Sequence, residues 1–324
     1  MDDTRLNEKL ARAELAGRCL RARNAQSRRV LRRRAEKGIL LAVREDLFAR
    51  PEYWNGLPYR ERIMHVLRSV GAAHPNWVLG QISAAAVWGL HETYVMHDIV
   101  HIATGLNDHS RDRRYFRFHC IRDMSVEIRD GLRVTDLMQT VFDCARMLPF
   151  PEGLAICDRA MNIHGLESAA MESFLDDHRG FRGIETARKV VAYADARSEN
   201  GGESIARGLL IDWGYERPLL QQWVTDPVTG RSNRVDFLWR GDDGQIIVME
   251  LDGREKYANP DMLGSGDGLD AILAEKERES NIRLLGGIRF VRVSFKQLMN
   301  DPATVRFKLD LAGVPRRRDG LGLR

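Results

Sequence analysis

Arg234-Val235-Asp236-Phe237-Leu238-Trp239, then Gly241-Asp242-Asp243-Gly244, then Ile246-Ile247-Val248-Met249-Glu250-Leu251-Asp252-Gly253: this stretch decides how the C-terminal third of the chain is read. The first piece is a strand carrying one acid in an apolar setting, and the second is a turn. The third is an apolar strand ending in two acids at alternate positions, and period two puts Glu250 and Asp252 on one face. Whether Asp236 joins them depends on the loop. A four-residue loop, 241–244, would pair Asp236 with Met249. A five-residue loop, 241–245, or a bulge, would pair it with Glu250. The odd-length loop or bulge is the expectation, because the acids otherwise have no reason to be grouped. Carboxylates converging at a strand edge repel one another unless a cation sits between them. Hard oxygen ligands of this kind select Mg²⁺ or Mn²⁺. Such an ion can lower the pKa of bound water and stabilise charge on a phosphodiester. The plain alternative is a solvated strand end.

On the N-terminal side of this stretch, Ser198-Glu199-Asn200-Gly201-Gly202-Glu203-Ser204-Ile205-Ala206-Arg207 leads into a helix from near Gly202 to Trp213. On its C-terminal side, Glu275-Lys276-Glu277-Arg278-Glu279 opens a helix that ends before Gly286-Gly287. Ile288-Arg289-Phe290-Val291-Arg292-Val293 follows as a strand. Lys276, Arg278, Arg283, Arg289 and Arg292 could meet phosphates, although some must be ordinary surface charges.

The middle of the chain reads as an α+β block with no catalytic constellation. Ile82–Leu90 is a helix stopped by Gly89, Asp98–Thr104 and Arg114–Ile121 are strands, and Val126–Val134 is a hairpin turning at Asp130-Gly131. Asp136–Met147 is a helix, and two more run through 152–162 and 166–195. His97 and His101 have the spacing of helical metal ligands. Ile99, Val100 and Ile102 make this a strand, where four residues span roughly 13 Å, too far for one zinc.

Charge marks the N-terminus. Residues 18–37 hold Arg18, Arg21, Arg23, Arg28, Arg29, Arg32, Arg33, Arg34 and Lys37 against Glu36 alone, a net +8 in a chain whose formal total is +4. A concentrated basic segment on an otherwise slightly acidic protein is the footprint of a polyanion partner. Short helices before Asn24, a cap at Asn24 or Ser27 and a stop at Gly38 give a winged-helix pattern. On the helical wheel Arg28, Arg29, Arg32, Arg33 and Lys37 cover about half the circumference, opposite Leu31 and Ala35, while Arg34 intrudes on the apolar side. Such a face suits duplex DNA. Ile39–Phe48 would be the wing, with Arg44 near the backbone of a neighbouring groove.

At 324 residues two or three domains are expected. No apolar run approaches the ~18–20 residues of a membrane span, and no secretory signal follows Met1. Cys19, Cys120, Cys144 and Cys157 are far apart. A reduced, cytoplasmic protein without disulfides, structural zinc or a membrane partner is therefore expected. Winged helices often bind DNA as dimers, so an oligomer is compatible.

Two resemblances cover most of the chain. Residues 200–300 resemble the very-short-patch-repair-like branch of the PD-(D/E)XK nucleases. The resemblance rests on Glu203-Ser204 with Arg207, Arg234-Val235-Asp236-Phe237, Glu250-Leu251-Asp252-Gly253 with Lys256-Tyr257, and Glu275-Lys276-x-Arg278-Glu279 with Arg283 and Arg292-Val293. Residues 8–160 resemble, more loosely, the AbiEi-like antitoxins of type IV toxin–antitoxin systems. Here the matching pieces are the basic helix to Gly38, the wing to Phe48, Ser83-Ala84-Ala85 with Gly89-Leu90, Asp130–Thr135, and Thr140-Val141-Phe142-Asp143-x-Ala145-Arg146.

The first resemblance implies that Glu203, Asp236 and Glu250 hold Mg²⁺ or Mn²⁺ and that the lysine of the motif is replaced by Asp252. Lys256 is then the nearest basic substitute, and catalysis is left open. The second implies an autoregulatory winged helix, a central antitoxin block and a nucleotidyltransferase-like toxin as partner. The expected architecture is an α+β multidomain protein. It comprises a winged helix over 1–50, an α+β block over 51–195, an α/β PD-(D/E)XK endonuclease-like domain over 196–312 and a basic tail over 313–324.

Overall fold

The computed structural model describes residues 3–90, 94–106, 108, 110–241, 244–252, 277, 280–282, 284 and 286–317. Among these residues it is a mixed α/β protein with three sheets, and the chain divides into two compact units, 1–144 and 145–324.

The first unit begins with α1 (Asp3–Leu15), β1 (Leu20–Arg21), α2 (Ala25–Glu36), β2 (Leu41–Ala42) and β3 (Leu47–Ala49). The strands form an antiparallel sheet in the order β1-β3-β2. Several short helices were expected before Asn24, but one continuous helix and a strand stand there. Leu6 and Leu10, four apart, share one buried stripe, whereas Leu15 is 92% exposed and takes no part in the core. Leu6, Leu10, Ala22, Leu31, Leu40 and Phe48 form the core of this segment.

The unit continues with α3 (Pro51–Gly56), α4 (Tyr59–Ala73), β4 (Val78–Leu79), α5 (Gln81–Val87), β5 (Val100–Thr104), β6 (Phe116–Cys120), β7 (Val126–Arg129), β8 (Leu132–Thr135) and α6 (Leu137–Met147), whose last turn crosses the boundary. Its sheet has the order β6-β5-β4-β8-β7. The hairpin turns at Asp130-Gly131 as expected, with φ of 49° and 71°, the left-handed pair that suits a two-residue turn between twisted strands. His97 ends a short helical turn, and His101 sits on β5 with Nδ1 2.8 Å from His119 Nε2. The two histidines of the tempting spacing are thus apart in role.

The second unit comprises α7 (Phe150–His164), α8 (Ser168–Asp177), α9 (Ile184–Tyr193), α10 (Gly201–Asp212), β9 (Leu219–Thr225), β10 (Ser232–Arg240), β11 (Ile246–Asp252), β12 (Ile288–Ser294), α11 (Phe295–Asn300) and α12 (Pro302–Ala312). The single helix expected over 166–195 is two. Gly183 turns the chain at φ 79°, and a Cβ there would lie 2.1 Å from the Arg146 carbonyl oxygen. The helices after 145 group with the C-terminal sheet rather than with the central block. Two features tie α7 to α10. Gly208 approaches Pro151 so closely that a Cβ would sit 2.6 Å from the proline Cα. The fully buried Arg207 donates to Asp158 at 2.5 Å and to the Tyr193 carbonyl at 2.7 Å.

The sheet order is β12-β11-β10-β9, with β12 parallel to β11 and the rest antiparallel. Phe237, Trp239, Met249, Val291 and Val293 pack with α10 and α12 on one face. Leu238, Val248 and Ile282 form the core on the other. The start of the basic tail is tied down rather than frayed. Arg316 donates to the Trp213 carbonyl at 2.7 Å and to Asp310 at 2.6 Å, and lies over the Tyr215 ring. Residues 318–324 lie outside the described residues. Among the described residues no helix is long and apolar enough to cross a membrane, and the four cysteines form no disulfide.

Candidate functional site

Phe237 lies opposite Met249 and Arg240 opposite Ile246, so the connection is the five-residue loop 241–245. Asp236 stands just beyond the last pair of this ladder. Asp236 Oδ2 accepts a 2.9 Å hydrogen bond from the Leu251 backbone N–H, which holds the carboxylate against the end of β11.

The neighbouring strand bends at the same level. Leu220 pairs with Phe237 and Gln222 with Val235, while the intervening Gln221 has φ 54°. Leu220 and Val224 bury on opposite faces of the sheet although both are even-numbered, and Val235 and Phe237 do so although both are odd. Both strands therefore change phase together here, with no extra residue in either, since the pairing keeps one register from Ser232–Thr225 to Leu238–Leu219. A glutamine in the left-handed region is strained backbone, and such strain gathers at functional sites. Sequence reasoning missed Gln221, since Leu219-Leu220-Gln221-Gln222-Trp223 lacks the alternation that marks a strand.

Glu203 stands in the first turn of α10, whose N-cap Asn200 accepts from the Glu203 N–H at 3.0 Å. Its carboxylate accepts from the Glu199 N–H and from Gln221 Nε2, both at 3.0 Å, and from Asn200 Nδ2 at 2.5 Å. Burial pushes its pKa up to about 7, and the charges of Asp236 and Glu199 add to the rise, against the hydrogen bonds. Glu203 and Asp236 thus feel each other across the site.

Glu250 and Asp252 continue the face of Val248, not the face that α10 covers. The parallel register sets Arg292 level with Glu250. Arg292 Nη2 lies 2.8 Å from Glu250 Oε2, and Nε lies 4.0 Å from Asp252 Oδ2. The expected acids therefore fall into two pairs, Glu203 with Asp236 and Glu250 with Asp252, the second bridged by an arginine. Among the described residues no three His, Cys, Asp or Glu side chains group as a metal site. Lys256, Glu275, Lys276, Arg278, Glu279 and Arg283 lie outside the described residues. The donor chemistry still fits a hard divalent cation. The acids supply only oxygen donors, the kind that hard divalent cations prefer.

The other candidate surface is α2. Asn24 caps it by accepting from the Ser27 N–H at 2.8 Å, Ser27 Oγ accepts in turn from the Asn24 N–H, and Gly38 follows at φ 73°. Leu31 is its buried residue. Arg29, Arg32, Arg33 and Lys37 are exposed, and among the described residues none has an ion-pair partner. Arg28 pairs with Glu45 at 3.0 Å. The misfit Arg34 pairs with Asp3 of α1 at 2.8 Å. Arg44 turns away from the expected groove contact. Its guanidinium donates to the His97 and Asp98 carbonyls and lies over the Tyr115 ring.

No family model matches the chain. Two curated relatives, both described as uncharacterized proteins of Mycobacterium tuberculosis, are similar to it: MT2308 of strain CDC 1551 / Oshkosh and Rv2248 of strain H37Rv. Each is 37% identical over 150 residues, which is 45% of this chain and 49% of the relative. The chain spans about half the length of the curated relatives it matches.

Proposed function

We propose that this is a DNA-binding protein with a C-terminal metal-dependent endonuclease-like site that hydrolyses DNA phosphodiesters. The observation that carries the reading is the position of Asp236, whose carboxylate accepts from the Leu251 N–H next to Glu250 and whose charge adds to the raised pKa of Glu203. The helix–strand–helix–hairpin order of residues 3–49 supports a winged helix with α2 as its DNA-reading element. Arg29, Arg32, Arg33 and Lys37 would meet phosphates, with Arg28 beside them. Arg44 is left out of this interface, since it is engaged with backbone carbonyls.

Asp236, Glu250 and Glu203 would hold Mg²⁺ or Mn²⁺, with Asp252 assisting. Once bound, the ion supplies a water of lowered pKa and stabilises charge on the phosphate. The chain's own residues prepare that site. The Leu251 N–H fixes Asp236, while Gln221 and the Glu199 N–H orient Glu203 and weigh against its protonation. Lys256 keeps its assignment as a phosphate contact from the sequence alone.

A second reading has its own support. Asp252 stands where the motif has lysine, and no three acids group among the described residues. This favours a transcriptional autoregulator or antitoxin, partnered by a nucleotidyltransferase-like toxin, whose nuclease fold is inactive. Cleavage of supercoiled plasmid in Mg²⁺, Mn²⁺ and chelator separates the two. Metal-dependent nicking that Glu250→Ala removes is the expected outcome. Salt-sensitive DNA binding without nicking under any metal would favour the regulator.

A further inference from the structure

Resting on the nuclease reading above, we propose that Arg292 is the basic member of the carboxylate site, a built-in counter-ion that a divalent cation must displace from Glu250. At the motif's lysine position this chain adds a negative charge, Asp252, to the face that already carries Glu250. Two carboxylates at alternate positions of one strand need a cation beside them. The parallel pairing of β11 with β12 brings one from the neighbouring strand, because Arg292 is level with Glu250 and Ser294 with Asp252.

The guanidinium reaches both acids. Nη2 is 2.8 Å from Glu250 Oε2, a charge-assisted hydrogen bond, and Nε is 4.0 Å from Asp252 Oδ2. Glu250 is 9% exposed and Arg292 is half-buried, so solvent screens the pair less than it would at the surface. The arginine stem stands on a strand between Phe290, which borders the apolar cluster of that face, and Ser294, which caps α11. This fixes where the fork is presented.

Three consequences follow. The basic charge missing from the motif is supplied from another strand. Glu250 has a partner before any metal arrives, so the fold does not depend on the ion. A metal that takes the same Glu250 oxygen competes with the guanidinium, so Arg292 sets the concentration at which the site loads.

The test uses the full-length protein without DNA, with Mn²⁺ as the probe. Binding is read by the electron paramagnetic resonance of free Mn²⁺ and by calorimetry, in wild type, Arg292→Gln, Arg292→Lys, Glu250→Gln and the pair Arg292→Gln with Glu250→Gln. Arg292→Gln should bind Mn²⁺ about tenfold more tightly, the worth of one charge-assisted hydrogen bond. It should also melt lower in chelator and gain more in melting temperature from Mn²⁺ than wild type does. The double variant should lose the gain. Should Arg292→Gln fail to fold, Arg292→Lys, which cannot fork to both acids, should show a gain of a few fold. Mn²⁺ affinity within twofold of wild type in the Arg292 variants, with Glu250→Gln alone still weakening binding, would overturn this inference and leave the nuclease reading standing. No Mn²⁺ binding by wild type or by any Arg292 variant would overturn both.

Discussion

The basic face of α2 and the acidic edge of the C-terminal sheet solve the same problem in opposite ways. Both gather like charges, α2 within a few residues and the sheet from Glu203, Asp236, Glu250 and Asp252. On α2 the charges fan out around an exposed helix, and the described structure offers Arg29, Arg32, Arg33 and Lys37 no counter-ion. At the sheet the acids are buried or half-buried, and the carboxylates of Asp236, Glu203 and Glu250 are tied down. Leu251 donates to Asp236, Gln221 and Asn200 donate to Glu203, and Arg292 pairs with Glu250. Water and salt make like charge tolerable on an exposed helix, and an external polyanion then has much to gain by replacing the released counterions. Partial burial removes that screening, so the protein must supply the compensation itself. On the function proposed above, the first region meets a polyanion and the second holds a small site in shape.

The buried pair of Asp158 and Arg207 is the extreme against which both can be set. Asp158→Ala should cost about 3 to 5 kcal/mol in chemical denaturation, because it strands a guanidinium with no access to water. Asp158→Leu combined with Arg207→Met should recover most of that. If the single variant cost no more than a surface change, compensation inside the second unit would not be what holds it.

On the exposed side, changing Arg29, Arg32, Arg33 and Lys37 together to alanine should weaken duplex DNA binding by about a hundredfold. The salt slope should also fall by about 3 to 4, one released counterion per lost phosphate contact. Fluorescence anisotropy over a salt series reads both. Unaltered affinity would remove α2 from the interface.

Titration gives a third handle. Burial, then the neighbouring His119 and Arg117, lower the His101 pKa from 6.5 to about 4. The unfolded chain therefore binds the proton more readily than the folded one. His101 contributes stability that is fully present above pH 6.5 and is lost as pH falls towards 4, in total about 2 to 3 kcal/mol. Denaturant unfolding of wild type and His101→Gln across that range should show the variant with the flatter profile. The smallest effect belongs to the cap. Asn24→Ala should cost about 1 kcal/mol and lower DNA affinity only as far as α2 frays.

Legibility followed the range of the forces involved. The caps of α2, its apolar side at Leu31 and the turn at Asp130-Gly131 were readable, because each is set by a few adjacent residues, whereas the five-residue loop of β10–β11 was expected only as an alternative to a bulge, on the grouping of the acids. The grouping of α7, α8 and α9 with the second unit was not. It rests on contacts far apart in sequence, Gly208 on Pro151 and Arg207 on Asp158. β9 was hidden because the bend at Gln221 breaks its alternation. The engagement of Arg44 with the His97 and Asp98 carbonyls, and of Arg292 with Glu250, could not be told from composition, since an arginine reads alike whether it faces phosphate or a buried acid.

On the proposed function, binding and cutting DNA are separate properties of these two regions. Asp236→Ala tests this most directly, with plasmid cleavage in Mg²⁺ or Mn²⁺ and duplex affinity measured on the same preparation. Cleavage should be abolished while affinity stays within about twofold of wild type, since the variant leaves the phosphate contacts intact. Asp236→Ala cutting at the normal rate would contradict this.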